Sequence, residues 1–444
     1  MKKLLVLLLS ACMLLCVGIG LTACGRADAW VIVKTGLDAS GKEQSNSTYR
    51  QEGEPMIEIE TPTKAGYRFV GWDKEIPETV PAGEFIITAI WELEETPESA
   101  FVFSNNKITG LTSSGRDLLG LKIPETIGGS LVKEIGNQVF TNEDYIDVVL
   151  PNSITKIGDY AFMSANICNS ITLPNQLKSI GRDAFDSCIF NQITLPDSLT
   201  SIGAFAFESC NNLTTINIPA NVSSIGSAAF GRCNKLTSIT VTEGSKYYKS
   251  IDGNLYNASA TKLIQYAVGK TETEYTAPDT VEDIADWAFY GSRNLKKVSF
   301  SQLTNCPSYA FNDATALENI TITYDKYTNY SSDEGILYRV DDNSRLVLVY
   351  YPVAKKGPVT VKSGVKEIED YAFFCCKDLG IVNLPSSIDT IGKGAFERCE
   401  NLSGITFDGT MADFQNITKG NGWNSSVPAT YVTCSDGNYT IKTA

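Results

Sequence analysis

The stretch Ile171–Cys188, ITLPNQLKSIGRDAFDSC, decides how this chain folds, because it returns. It recurs as ITLPDSLTSIGAFAFESC from Ile193, INIPANVSSIGSAAFGRC from Ile216 and VNLPSSIDTIGKGAFERC from Val382. Looser copies start at Val148, Tyr275, Val298 and Val359. The clearest landmark is a phenylalanine, found at Phe140, Phe162, Phe185, Phe207, Phe230, Phe289, Phe311, Phe373 and Phe396, with steps of 22 or 23 residues within a run. A fixed period of that size marks a solenoid. One coil cannot bury its own apolar face; neighbours must cover both of its sides and supply the ladder hydrogen bonds.

The phrase can be read residue by residue. Ile171 and Leu173 point inward from a short strand and Thr172 points out, by the period of two. Pro174 has no N–H for a ladder, so it ends the strand. Leu177 and Ile180 form the next inward pair, and Ala184 and Phe185 turn in from a helical or 3₁₀ segment. The glycine after the isoleucine has two readings. It could mark a positive φ, or a place where neighbouring backbones come close. Ala285, Pro307 and Glu369 stand there in other coils. Proline holds φ near −65°, which favours close approach.

This pattern resembles the BspA-like (treponemal-type) leucine-rich repeats of bacterial surface proteins, from about Phe101 to the C-terminus. The resemblance implies a right-handed, curved solenoid with a parallel sheet on one face. It also implies a secreted or surface-anchored protein in a family with several adhesins. The expected fold class is therefore an α/β solenoid of about nine coils over residues 101–407, closed by a C-terminal cap over 408–444. Between Phe230 and Phe289 the step is 59 residues, and between Phe311 and Phe373 it is 62. The extra residues, about 242–274 and 323–358, share the pattern strand, polar turn, strand and are expected as β-hairpin insertions.

The N-terminus reads as an export signal over residues 1–23: a basic Met1-Lys2-Lys3, an apolar run from Leu4 to about Leu21, then Leu21-Thr22-Ala23-Cys24. Those last four residues resemble a bacterial lipobox. This implies cleavage before Cys24, a lipid on its sulfur, and a short lipidated N-terminus over 24–26. Such a protein is tethered to the envelope rather than spanning it. Losing Lys2 and Lys3 moves the formal charge from −14 to −16. An acidic chain does not bind polyanions by counterion release, so nucleic acid is not an expected partner.

Residues 27–95 do not follow the repeat. Thr61-Pro62-Thr63-Lys64-Ala65-Gly66-Tyr67, Phe69, Gly71-Trp72 and Thr88-Ala89-Ile90-Trp91 resemble the Listeria–Bacteroides (internalin B-repeat) module, which implies a small β-grasp-like domain. Tyr67, Phe69, Trp72 and Trp91 are its expected aromatic core. Residues 96–100 are expected as a linker.

Twelve cysteines in an exported chain would ordinarily point to disulfides. Here Cys188, Cys210, Cys233, Cys376 and Cys399 occupy one repeat position, which Ala165, Ser292 and Ala314 fill elsewhere. Stacking would make their Cβ vectors parallel, a poor disulfide geometry, so buried free thiols are expected.

Nothing marks an enzyme or a cofactor. The chain has no histidine, which removes Ser-His-Asp and Cys-His nucleophiles and His-ligated zinc. Asp333-Glu334 and Asp341-Asp342-Asn343 could hold calcium, but turns use the same residues. Two surfaces are candidates for binding. One is the outward ladder at Thr172, Thr194, Asn217 and Thr240. The other is the tyrosine-rich inserts, above all Tyr256, Tyr266, Tyr338, Tyr350 and Tyr351. The expected function is a non-catalytic binding or adhesion module, monomeric, for a protein or glycan on a host or neighbouring cell. Its only membrane contact would be the lipid. The alternatives are an envelope scaffold or spacer, or a glycan-capture protein serving a separate enzyme or transporter.

Detergent phase partitioning tests the anchor. The exported wild-type chain should enter the detergent phase, and Cys24→Ala should move it to the aqueous phase; an unchanged partition would remove the lipid.

Overall fold

The structure is a computed structural model and describes residues 27–38, 42–323 and 329–441, with Cys168 and Asn169 described by backbone alone. The export signal and Cys24 lie outside the described residues. The chain forms two compact units, divided near residue 93.

In the larger unit each regular coil is tied to its neighbours on three sides. The Ile-Gly segments make one parallel ladder: Lys107–Leu111, Glu134–Ile135, Lys156–Ile157, Ser179–Ile180, Ser201–Ile202 and Ser224–Ile225 pair in succession. The Ile-x-Leu segments make a second, through Gly120–Lys122, Asp144–Val149 and Asn166–Thr172. It resumes at Thr215–Ile218 beside Ser238–Val241. Ile193–Leu195 is skipped by this ladder and carries no strand assignment. Cys188 and Ile193 stand one residue closer together than Cys210 and Ile216. Buried Phe190 fills the core there as Leu213 does in the next coil.

The third side corrects the α/β expectation. In most coils the Ala-Phe segment is a tight turn rather than an α-helix, the expected 3₁₀ alternative appearing at Ser308–Phe311, and the turns hold two residues in the left-handed region: Asp183 (φ 50°) and Ser187 (φ 61°), then Phe205 (φ 57°) and Ser209 (φ 54°). With the backbone turned this way, its N–H groups point at the next coil. Phe185 donates to the Ala206 carbonyl at 2.8 Å and Ser187 to that of Glu208 at 2.8 Å. The N–H groups between them close i→i−3 turns within the coil, Asp186 on Asp183 and Cys188 on Phe185, so no i→i−4 helix forms. The fold is a β-solenoid. The α-helix among the described residues is Met411–Asn416, started by a capping box between Thr410 and Asp413.

Inside, the phenylalanines form a column. Phe162 and Phe185 stack at 5.3 Å and 7°, Phe185 and Phe207 at 5.4 Å and 10°, Phe207 and Phe230 at 5.6 Å and 8°. The cysteines stand beside it as free thiols. Cys188, Cys210 and Cys233 donate to the carbonyls of Phe162, Phe185 and Phe207 at 3.1, 3.2 and 3.0 Å. Each Sγ is thus aimed at the preceding coil's backbone. Burial pushes the thiols up, Cys233 to about 12.

Close approach accounts for the glycines. A Cβ on Gly181 would lie 2.6 Å from the backbone of Gly158, and one on Gly203 2.5 Å from that of Gly181. None of the glycines at 158, 181, 203 and 226 needs a positive φ. Ala285 and Glu369 are tolerated because the strand before each of them belongs to an insert, Lys262–Gln265 and Leu346–Tyr350.

Each insert has three strands rather than the two of the expected hairpin. Tyr248–Ile251, Asn254–Asn257 and Lys262–Gln265 form an antiparallel meander, and so do Tyr330–Asp333, Ile336–Val340 and Leu346–Tyr350. Both open with a two-residue turn at positive φ, Asp252-Gly253 and Glu334-Gly335, which matches the twist of a hairpin. Both patch an open coil edge in the same way. The N–H of Ile225 donates to the Tyr248 hydroxyl at 2.9 Å, and that of Cys306 to the Tyr330 hydroxyl at 3.2 Å. The N–H of Ile239 donates to the Gly253 carbonyl at 2.8 Å, and that of Ile320 to the Gly335 carbonyl at 3.0 Å. Tyr266 and Tyr351 take the place of a preceding phenylalanine, 5.5 Å from Phe289 and 4.9 Å from Phe373. The apolar interior accordingly falls into three clusters, with breaks at the inserts.

Counting phenylalanines therefore miscounts the layers. The column also takes in insert tyrosines, and it continues to Trp423, whose carbonyl accepts from the Phe396 N–H at 2.7 Å. Residues 96–100 are not a free linker: the Thr96 N–H donates to the Lys122 carbonyl at 2.8 Å, and Ala100 is buried. Asp341, read as a possible calcium ligand, caps its own turn by accepting from Asn343 and Arg345 N–H at 2.9 and 2.8 Å.

The smaller unit is a four-stranded mixed sheet in the order Glu43–Gln51, Asp28–Leu37, Gly83–Leu93, Tyr67–Trp72, with the central pair parallel. Among the described residues it holds no α-helix. Its buried core is Ala29, Val31, Val80, Phe85 and Ile87. The expected aromatics are half-buried beside it, Phe69 lying 5.1 Å from Trp72 and 5.7 Å from Trp91.

Gly203→Ala should destabilise the solenoid by about 1–3 kcal/mol, the usual cost of overpacking, read as a lower denaturation midpoint; no change would reject the close-approach account. Thiol titration without reductant should find the eight cysteines whose side chains are described all reactive in denaturant. In the native protein the half-buried Cys375 should react before the others.

A candidate binding cleft on the turn edge

At regular junctions the turn edge is stitched by successive backbone bonds, such as Phe205 to Ser227, Phe207 to Ala229 and Ser209 to Gly231. Across the first insert one stitch survives, from the Arg232 N–H to the Tyr290 carbonyl at 3.1 Å. Across the second insert, among the described residues, no backbone bond joins 312–314 to 374–376. The edge stays open there as a cleft of about 650 Å³. Its floor is the tail of the second insert, Tyr350, Val353 and Ala354; Trp287, Tyr290, Asn312 and Asp313 form one wall, and Phe374, Cys375, Lys377 and Arg398 the other.

The turn geometry places these side chains. The residue two after each phenylalanine is left-handed: Ser164, Ser187 and Ser209 in the early coils, then Arg232 (φ 56°), Asp313 (φ 56°), Cys375 (φ 60°) and Arg398 (φ 59°) around the cleft. That conformation suits small polar residues and is costly for long side chains. Arg232 is held by Asp313 at 2.8 Å and lies over the Tyr290 ring at 5.1 Å. Trp287 packs edge-on against Tyr290 at 5.0 Å and tilts against Tyr309 at 5.7 Å. Arg398 lies over Phe374 at 5.7 Å. Gly231 makes this possible, since a Cβ there would sit 2.6 Å from the Tyr290 ring. Beneath the wall the Tyr290 hydroxyl bonds Glu208, whose carboxyl is raised above its ordinary range by burial. Rigid aromatics with stacked arginines are the side chains that dominate binding energy at protein surfaces.

The sequence pointed elsewhere. Tyr256, Tyr266, Tyr338, Tyr350 and Tyr351 are 0–3% exposed, which corrects their assignment to an exposed binding surface. They pack insert against coil. Tyr256 and Tyr275 share a hydroxyl bond at 2.8 Å, and Tyr350 donates to the Phe311 carbonyl at 3.3 Å from the cleft floor. Thr172, Thr194, Asn217 and Thr240 are exposed. The Thr240 hydroxyl donates to Asn217 Oδ1 at 3.0 Å while the Asn217 amide donates to the Thr242 hydroxyl at 2.8 Å, and Thr406 donates to Asn383 Oδ1 in the same way at 2.7 Å. Thr194 lies in the stretch that the ladder skips. The cleft residues went unnoticed although a signal existed. Serine at one repeat position gives way to arginine, aspartate and cysteine only in the later coils.

The BspA-type leucine-rich-repeat family matches residues 133–263, 265–333 and 355–426 in six copies, more than half of the chain. Among solved structures, a leucine-rich repeat protein from Eubacterium ventriosum is 20% identical, with a TM-score of 0.50 over 73% of this chain and 86% of that one. A leucine-rich cell surface protein from Faecalibacterium prausnitzii is 24% identical, with a TM-score of 0.40 over 73% and 97%. None of the curated proteins matches.

The raised Glu208 carboxyl gives a pH test. Its folded form holds a proton more tightly than the unfolded chain does, so its contribution to stability falls as pH rises through the carboxylate range. Glu208→Gln should melt higher than wild type at neutral pH, and the gap should close on acidification. A constant gap would reject the burial account.

Proposed function

The chain belongs to the BspA-type leucine-rich-repeat family, and we propose that it is a bacterial lipoprotein of the cell surface acting as a non-catalytic binding and adhesion module. In this reading Cys24 carries the anchor, the solenoid is the rigid frame, and the turn-edge cleft receives the partner. The observation that carries it is the cleft itself. Four left-handed turn residues and three half-buried aromatics converge where the stitching between coils is interrupted. An envelope spacer would have no use for such an opening, which forgoes backbone hydrogen bonds that the other junctions make.

The full chain should bind saturably to at least one member of a panel of matrix proteins, mucin and immobilised glycans. Trp287→Ala should abolish that binding while leaving the melting temperature within a few degrees. No saturable binding across the panel would favour the scaffold reading; binding indifferent to Trp287→Ala would move the site elsewhere.

A further inference from the structure

We propose that the turn-edge cleft takes an acidic oligosaccharide, a short run of sugar rings carrying a carboxylate; this rests on the cleft being the binding site. The size sets the class. A cleft of about 650 Å³ lies within the roughly 300–1,000 Å³ of small-molecule sites. A stable protein interface buries some 1,200–2,000 Å² in total, whereas the half-buried aromatics here line a concave site. An extended peptide would need a strand edge to pair with, whereas the rim is built of turns.

The lining suits sugar rings. Trp287, Tyr290 and Phe374 offer aromatic faces for the C–H face of a pyranose, fixed in place by edge-on packing. Asn312 and Thr315 add side-chain donors and acceptors for hydroxyls. The charge is the more telling part. In a chain of net charge −14, the cleft is lined by three cations, Arg232, Lys377 and Arg398, and two carboxylates, Asp313 and Asp378. Asp313 is already matched by Arg232 at 2.8 Å and Arg293 at 3.8 Å. Of the three cations Arg398 has the longest carboxylate contact, though its side chain also bonds Cys375. Its carboxylate contact, to Glu397, is at 4.0 Å, and its side chain is 61% exposed. Stacked on Phe374, it presents a planar fork beside an aromatic face, the geometry that reads a carboxylate bidentately.

Calorimetry of the full chain with trigalacturonate and with neutral cellotriose tests this. The acid should bind at least about tenfold more tightly, a difference of roughly 1.4 kcal/mol, and the preference should shrink with added salt. Arg398→Gln, a surface change that spares the fold, should erase the preference, while Trp287→Ala should weaken both sugars. Equal affinity for acid and neutral sugar, with both lost in Trp287→Ala, would overturn the acidic assignment and leave the cleft standing. Binding of an oligoglutamate peptide in place of either sugar would overturn the sugar class. Sugar binding untouched by Trp287→Ala would overturn the cleft reading itself.

Discussion

Every coil of this protein depends on backbone hydrogen bonds made to a different coil. The turn N–H groups of one layer end on the carbonyls of the next, as Phe185 does on Ala206, and so do both ladders. A coil therefore always has an open edge, and an open edge is costly when it is buried and unpaired. The ends of the solenoid show how this is met. A hairpin of Phe101–Ser104 and Lys107–Leu111 begins the first ladder, and a hairpin of Tyr431–Cys434 and Gly437–Thr440 closes the second.

The two inserts are the same solution applied in the middle. Each meander brings a tyrosine hydroxyl to a coil N–H, a turn carbonyl to the next ladder, and an aromatic ring to the core column. A lysine caps the turn in both, Lys270 on the Asp252 carbonyl and Lys355 on that of Glu334, at 2.6 Å each. The patch reaches each ladder by single hydrogen bonds, the strand pairing itself being divided there, and it leaves the turn edge less complete still. Where the second insert leaves that edge unstitched, the solenoid gains its cleft. The opening lies where the joining of layers is interrupted.

The inward half of the fold was legible because it repeats. Leu177, Ile180 and Phe185 declare their direction by period, and the glycines declare close packing by the proline that can replace them. What was not legible needed three dimensions. The Ala-Phe segment looks helical in one coil and becomes a turn because alternate donors, such as those of Phe185 and Ser187, are claimed by the neighbour. The tyrosines looked like contact residues, since tyrosine suits both interfaces and cores, and sequence cannot tell which side of an insert faces the coil. The cleft joins residues far apart in the chain, Arg232 with Asp313 and Phe374 with Arg398, and no local pattern pairs them.

The breaks in the core have a consequence for how the molecule holds together. Residues near Phe162, near Phe311 and near Phe396 belong to separate apolar clusters. In a stacked array, stability passes only between neighbours. Here the handover at each insert runs through the insert's own side chains, Leu255 and Ala267 facing one cluster and Tyr256 and Leu263 the next, then Leu337 and Tyr350 facing one and Leu348 and Tyr351 the next. The inserts therefore act as firebreaks: damage to one run of coils is contained within it, and the other runs keep their packing and whatever surface they display.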